Sequence, residues 1–251
     1  MFKLVNFIIG LSLFLLSHAA FSDLPQVIER IKPSIVGVGT FQKMRSPAIN
    51  FLGTGFVVGD GSLVITNAHV IPELLDASKN ESLVILTGKS NNPEAKVAQI
   101  AKLDKEHDLA LLKINGLSLP PLKIGNVDKI KEGQMLAFTG FPIGMVLGFY
   151  PVTHRAMIAS ITPIILPVTN TKQLSAEKIK QLNKTAFHVF QLDGTAYPGS
   201  SGSPLYDSDS GEVYGVVNLV FVKGKKESAL SNPSGISYAI PANFVTELLK
   251  Y

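Results

Sequence analysis

The chain of 251 residues contains neither cysteine nor tryptophan. Without cysteine the protein cannot form disulfide bonds, so its stability must come from an apolar core and from hydrogen bonds between strands. Charged residues are also scarce, at 17% of the chain, whereas apolar residues make up 46%. This balance argues against disorder and predicts a globular protein.

The chain also lacks an apolar run long enough to span a bilayer, which requires roughly 20 residues. The run Phe7–Leu16 has ten residues, follows the cationic start Met1–Lys3 and precedes the small residues of Ser17–Ser22. This order is typical of a secretory signal peptide, although a short membrane anchor is the alternative. Residues 1–22 are therefore predicted to be a signal peptide, and the mature protein to be periplasmic or secreted in a bacterium, without stable membrane insertion.

The excess of positive charge is small, with 23 basic and 19 acidic residues. The basic cluster Lys223–Lys226 has no aromatic residue within it, so it predicts a solvated loop rather than a nucleic-acid surface. His154 and His188 lie in apolar runs without a second metal ligand at a suitable spacing. No nucleic-acid partner, no metal site and no cofactor is therefore predicted.

Eleven short apolar runs, separated by Gly, Pro, Asn and Asp, predict an all-β antiparallel protein. The polar connection Asn126–Gly133 divides them into two sets, and helices are predicted at Leu24–Ile31, after Ser175 and at Pro241–Leu249. The runs are Ser34–Thr40, Gly55–Val58, Leu63–Thr66, Ser82–Leu86, Lys96–Ala101, Leu109–Ile114, Gln134–Thr139, Val152–Ile161, Phe187–Leu192, Val213–Phe221 and Ile236–Ile240.

The glycine-rich segment Pro198–Pro204 contains a serine in a tight turn that can direct backbone N–H groups towards one point. Upstream, one apolar run leads into His69, and Asp108 directly precedes another. Each residue alone has an ordinary alternative, as a core histidine, a turn aspartate or a turn serine. Together, and in the order His, Asp, Ser, they predict a catalytic triad of His69, Asp108 and Ser201.

The chemistry explains why these residue types are needed. A neutral hydroxyl is a weak nucleophile, so His69 would take the proton of Ser201 and return it to the leaving amine. Asp108 would hold the imidazole in the correct tautomer. The motif places the oxyanion donors at the backbone N–H groups of Gly199 and Ser201.

These segments resemble the trypsin-like serine proteases, and specifically their bacterial HtrA (Deg) branch. The resemblance implies the chymotrypsin-like fold: two antiparallel six-stranded β-barrels with a C-terminal helix, residues 23–130 carrying the histidine and aspartate and residues 131–251 the serine. A catalytic cleft would then lie between the barrels. The segments that carry the resemblance are Thr66–His69, Asp108–Leu112, Gly199–Pro204, Gly53–Val58, Gly140–Gly144 and Gly235–Pro241.

The chain departs from this branch in two ways. Ser203 stands where HtrA proteases usually carry a glycine, a replacement that resembles the glutamyl endopeptidases. HtrA proteins also normally continue into PDZ domains, whereas this chain stops ten residues after Pro241. The resemblance therefore implies a protease domain without PDZ regulation, in which Leu24–Pro33 could support a homotrimer.

The substrate preference is predicted from Thr195, which lies six residues before the nucleophile and brings no negative charge for Arg or Lys. Glutamyl endopeptidases use a histidine after the nucleophile, and this chain has none there. With Val217, Asn218 and Leu219, Thr195 would form a pocket for small or medium apolar P1 residues. The predicted function is an exported serine endopeptidase acting on unfolded proteins or peptides.

Two alternatives stay open at this point. A catalytically silent chaperone or binding protein could use the same fold, although it would not need all three triad residues. A protease closer to the glutamyl endopeptidases is the second. An esterase of the α/β-hydrolase type is disfavoured, because it requires alternating strands and helices and the order Ser, Asp, His.

Overall fold

The computed structural model describes residues 24–88, 93–116, 118–144, 148–164, 187–219 and 236–250. The predicted signal peptide, residues 1–22, lies outside these ranges, as do the predicted helix after Ser175 and the basic residues Lys223–Lys226. Across the described ranges, no helix is both long enough and apolar enough to cross a membrane.

The first six strands close into a barrel in which all paired neighbours are antiparallel, in the order β1-β2-β3-β6-β5-β4. Their valine and isoleucine residues favour extended backbone, and Val38, Val57, Ile85 and Leu112 are fully buried in one core. The strands are β1 (Ile35–Phe41), β2 (Ile49–Val58), β3 (Leu63–Asn67), β4 (Ser82–Thr87), β5 (Glu94–Asp104) and β6 (Leu109–Ile114).

The second barrel repeats this architecture in the order β10-β11-β12-β9-β8-β7. Leu136, Phe138, Ile158 and Leu192 are fully buried in its core. The predicted pair of antiparallel six-stranded barrels is thus confirmed. The strands are β7 (Met135–Gly140), β8 (Val152–Pro163), β9 (His188–Asp193), β10 (Pro204–Asp207), β11 (Val213–Asn218) and β12 (Ile236–Pro241).

The strand β10 is missing from the eleven predicted runs. It has four residues, begins with a proline and follows a glycine-rich turn, so its local pattern is weak. Leu205 and Tyr206 are nevertheless fully buried, and β10 pairs with both β7 and β11. Long-range pairing that closes the barrel, rather than local preference, makes this segment a strand.

Two short α-helices among the described residues pack on the barrels: α1 (Leu24–Ile31), as predicted, and α2 (Asn243–Leu249). The helix α2 begins two residues later than predicted because Pro241 still belongs to β12. Both helices bury apolar side chains in a core that contains residues of both barrels. This shared core holds the barrels together, and it includes Leu24, Val27, Ile31, Val245, Phe56, Phe141, Phe149 and Val216.

Candidate active site

His69 and Asp108 lie side by side at one end of two paired strands. His69 belongs to a 3-10 turn that follows β3, and Asp108 directly precedes β6. In the β3–β6 pair Asn67 lies opposite Leu109, so the strand ends bring the two residues together. His69 Nδ1 is 2.6 Å from Asp108 Oδ2.

The backbone around Asp108 fixes the direction of its carboxylate. Asp108 has a φ of +52°, a left-handed conformation that aspartate adopts more readily than most residues. Its carbonyl oxygen accepts from the Ala68 N–H and from Asn67 Nδ2, each at 3.1 Å. Its Oδ1 accepts from the His69 N–H at 2.8 Å. Backbone and carboxylate are therefore both attached to the segment that carries the histidine.

Asn218, which the sequence predicts as a pocket residue, contacts the carboxylate of Asp108. Its Nδ2 donates to Asp108 Oδ2 at 2.6 Å from the end of β11 in the second barrel. A carboxylate can only accept hydrogen bonds, so His69 Nδ1 must be the donor in its own contact. The other ring nitrogen, Nε2, is then the basic one. The Asp108 carboxylate thus fixes the tautomer of His69 and accepts hydrogen bonds from residues of both barrels.

Ser201 lies in what we call the serine loop, residues 197–203, and is 6% exposed. The loop turns through two hydrogen bonds, from Ser200 N to Tyr197 O and from Ser203 N to Ser200 O. A Cβ on Gly202 would lie 2.5 Å from the Thr66 hydroxyl, so the loop packs against the strand that leads into His69. In the described structure no hydrogen bond joins Ser201 Oγ to the His69 ring, a contact that often tightens only when substrate binds.

Gly199 has a φ of +100°, which a residue with a Cβ rarely adopts. A Cβ at this position would lie 2.3 Å from the Phe141 carbonyl oxygen, so a side chain is excluded by contact as well. Among the described residues, neither the Gly199 N–H nor the Ser201 N–H has a hydrogen-bond acceptor. Two unpaired donors in one tight loop are what an oxyanion site requires.

Two residues of the predicted substrate pocket have side chains that pack in the second barrel. Val217 is fully buried in the core of the second barrel and Leu219 packs against that core, because side chains alternate along a strand. Thr195, the fourth predicted pocket residue beside Asn218, is half-buried and uncharged. Its neighbours are held by Ser237, whose hydroxyl donates to Gly194 O and accepts from Ala196 N, each at 2.7 Å.

Residues 53–216 match the family model of the trypsin-like peptidase domain. The chain belongs to the trypsin-like peptidase family. The resemblance to the HtrA branch, first inferred from the sequence, is confirmed by similar proteins. One is a probable periplasmic serine endoprotease, DegP-like, of Marinomonas sp. (strain MWYL1), 26% identical over 91% of this chain and 49% of its own length. Another is the serine protease HTRA1A of Danio rerio, 28% identical over 91% of this chain and 41% of its own length.

Two solved structures share the fold of this trypsin-like peptidase. The HtrA-type protease AlgW with tripeptide has a TM-score of 0.63 and 22% identity, covering 91% of this chain and 62% of that one. The Rv3671c protease from M. tuberculosis, active form, has a TM-score of 0.63 and 22% identity, covering 92% and 86%. The chain spans about half or less of the length of the two curated relatives above.

A second His–Asp pair lies on the turn before Asp108 of the peptidase. His107 Nδ1 is 2.7 Å from Asp104 Oδ2, and the ring stacks on Phe244 of α2 with centroids 3.9 Å apart. Phe187 and Phe244 of α2 cover the ring of His107. These ring contacts join distant parts of the chain, so no local sequence pattern predicts them.

Burial affects the protonation of His154, in β8 of this peptidase. Its ring stacks on Phe138, with centroids 5.0 Å apart, and among the described residues its buried Nε2 has no hydrogen-bond partner. Burial lowers the pKa of the His154 imidazole, because the charged form would lose its hydration. The folded protein therefore opposes protonation of this side chain.

Replacing His154 by phenylalanine should reduce the acid sensitivity of folding. Below about pH 6.5 an unfolded imidazole takes up a proton, whereas folded His154 stays neutral until its lowered pKa is reached. In that window the unfolded state binds more protons than the folded state. The free energy of unfolding therefore falls as the pH decreases, by at most about 1.4 kcal/mol per pH unit for one group. Denaturant titrations between about pH 7 and 5 should show a smaller fall for His154→Phe.

The matched control is His188→Phe, since His188 is exposed at the start of β9. The control should show the wild-type dependence on pH. An equal loss of stability in wild type and His154→Phe over this range would refute the assignment.

Proposed function

We propose that the chain is an exported serine endopeptidase that hydrolyses peptide bonds of unfolded proteins or peptides through His69, Asp108 and Ser201. The observation that carries this proposal is the Asp108 carboxylate, which accepts from His69 of one barrel and Asn218 of the other. The serine loop packs against the same strand ends, and its Gly199 and Ser201 N–H groups have no acceptor among the described residues.

The geometry supports acyl transfer through a covalent intermediate. His69 Nε2 takes the proton from Ser201 Oγ as that oxygen attacks the carbonyl carbon of the substrate. The resulting oxyanion accepts hydrogen bonds from the N–H groups of Gly199 and Ser201. The imidazolium then gives its proton to the leaving amine, and water hydrolyses the acyl-enzyme by the same steps.

Asp108 supports each proton transfer without taking the proton itself. Its carboxylate keeps the hydrogen on His69 Nδ1 and stabilises the imidazolium that forms during attack. The bond from Asn218 keeps Oδ2 directed at the ring when substrate occupies the cleft. All the chemistry proposed here uses groups of the chain itself.

Small or medium apolar residues are the proposed P1 side chains, because Thr195 is uncharged. Export is supported by the N-terminal pattern of residues 1–22 and by relatives that are named periplasmic endoproteases. A homotrimer through Leu24–Pro33 is part of the proposal, and α1 also buries three apolar residues within its own chain. Sedimentation of the processed protein tests the trimer.

Digestion of an unfolded protein by the processed chain, at a pH of about 7.5, tests the function, with cut sites read by mass spectrometry. We expect cleavage mainly after Ala, Val and residues of similar size. Cuts dominated by Glu, Arg or Lys at P1 would contradict the proposed preference. Suppressed aggregation of the unfolded protein without any cleavage would favour the chaperone alternative instead.

A further inference from the structure

Thr54, in β2 of the first barrel, is fully buried and hydrogen-bonded to residues of both barrels. Its N–H donates to Ser201 O at 2.9 Å, and its carbonyl accepts from the Thr66 hydroxyl at 2.7 Å. Its hydroxyl donates to Gly199 O at 2.7 Å and accepts from the Phe141 N–H at 3.0 Å. One side-chain oxygen thus pairs with two backbone groups of the second barrel.

The two backbone groups belong to the two segments that shape the serine loop. Gly199 O is part of the loop, and the Phe141 N–H begins the turn of residues 141–144. In that turn the Ile143 N–H donates to Pro198 O at 2.6 Å. The Thr54 hydroxyl therefore contacts the loop directly and also holds the turn that binds the preceding carbonyl.

The turn of residues 141–144 is held under strain. Ile143 has a φ of +59°, which is rare and strained for a β-branched residue. Such a conformation persists only where the surrounding contacts require it. The bonds from Phe141 to Thr54 and from Ile143 to Pro198 are two such contacts.

These contacts determine which way the Gly199 N–H points. A peptide unit is planar and trans, so its N–H is directed opposite to its carbonyl oxygen. Because Pro198 O is directed at Ile143, the Gly199 N–H must face away from the turn. Because Gly199 O is directed at Thr54, the peptide that joins Gly199 to Ser200 is fixed as well. This peptide sets the course of the backbone that leads into Ser201.

We propose that Thr54 is a positioning residue of this peptidase, whose hydroxyl holds the serine loop so that the N–H groups of Gly199 and Ser201 face the reacting carbonyl. The inference rests on the proposed function, since it assigns those N–H groups to the oxyanion. Thr54 touches no reacting atom and acts only through the loop. The sequence offered no signal for it beyond its place in the segment Gly53–Val58.

The test compares Thr54→Val, which keeps the shape but removes the hydroxyl, with Thr54→Ser, which keeps the hydroxyl. For a peptide containing a mapped cut site, Thr54→Val should lower kcat by about 10- to 100-fold and change KM by less than about threefold. The oxyanion forms only in the transition state, so the loss should appear in kcat. Thr54→Ser should stay within about threefold of wild type, and the pH profile of kcat should keep its shape in every variant.

Thr139→Val is the matched control, because Thr139 is also fully buried and its hydroxyl bonds Tyr206 and Thr153 rather than the serine loop. Melting temperatures of all variants are measured in parallel. If Thr54→Val does not fold, Thr54→Ala replaces it, since the smaller side chain leaves room for a water. A control that loses as much kcat as Thr54→Val would mean a merely structural role and would overturn the proposal.

Two further outcomes separate this inference from the proposed function. A kcat of Thr54→Val within about twofold of wild type, while Ser201→Ala is inactive, overturns the role of Thr54 alone. If the wild type does not cleave, the crystal structure of Thr54→Val still tests whether the Thr54 hydroxyl holds the serine loop. We expect residues 198–201 to be displaced there, and an unchanged loop would overturn the proposal.

Discussion

Ser201→Ala is expected to lower kcat by at least about 10⁴-fold and to leave KM nearly unchanged. The alanine cannot form the acyl-enzyme, so only the oxyanion donors and substrate binding remain to accelerate hydrolysis. Folding should be unaffected, because among the described residues Ser201 Oγ makes no hydrogen bond. Steady-state kinetics with a peptide containing a mapped cut site, together with the melting temperature, measure both effects.

The serine loop supplies its own matched controls in Ser200 and Ser203. Both are buried, and neither hydroxyl has a hydrogen-bond partner among the described residues. Ser200→Ala and Ser203→Ala remove a similar group from the same loop and should keep kcat within about threefold of wild type. Loss of activity in Ser200→Ala with activity retained in Ser201→Ala would move the nucleophile by one residue. Cleavage at the wild-type rate by Ser201→Ala and by both control variants would remove the triad mechanism altogether.

Asp108→Asn should lower kcat by about 10⁴-fold near neutral pH. The carboxylate accepts from three donors: the His69 N–H, His69 Nδ1 and Asn218 Nδ2. An asparagine has one acceptor oxygen and one donor group, so it cannot satisfy all three. If its amide faces the ring, His69 takes the opposite tautomer and Nε2 can no longer accept the proton of Ser201. The pH dependence of kcat, measured beside wild type, tests this explanation.

Asp104→Asn is the control for this substitution. It breaks a His–carboxylate contact of nearly the same length, 2.7 Å, on the turn just before Asp108. Because His107 stacks on Phe244 and its hydrogen bonds among the described residues go to Asp104, we expect a lower melting temperature and a kcat within about threefold of wild type. Equal losses of kcat in the two variants would show that both pairs serve catalysis, contrary to the proposed assignment.

Much of the fold follows from local patterns in the chain. Val, Ile and Leu runs between turn residues predict strands, because each run carries enough apolar surface to require burial whatever its partner. The short β10 has no such pattern and becomes a strand only by pairing with β7 and β11. His107 likewise faces the rings of Phe187 and Phe244, which lie far away in the chain.

The candidate site divides in the same way. His69, Asp108 and Ser201 could be predicted because their chemistry needs particular residue types in recognisable local segments. The contact of Asn218 with Asp108, the buried position of Val217 and the bonds of Thr54 could not, since each depends on how one barrel meets the other.

The sequence by itself thus determined an antiparallel β protein and the residues proposed to react, because apolar periodicity and reactive side chains are local properties. Its resemblance to the HtrA proteases implied the family and the two-barrel architecture. Only the tertiary structure decided which groups hold those residues in place. The donors to Asp108 and the anchors of the serine loop come from separate strands of both barrels. Their contacts exist only after the strands have closed and the shared core has brought the barrels together.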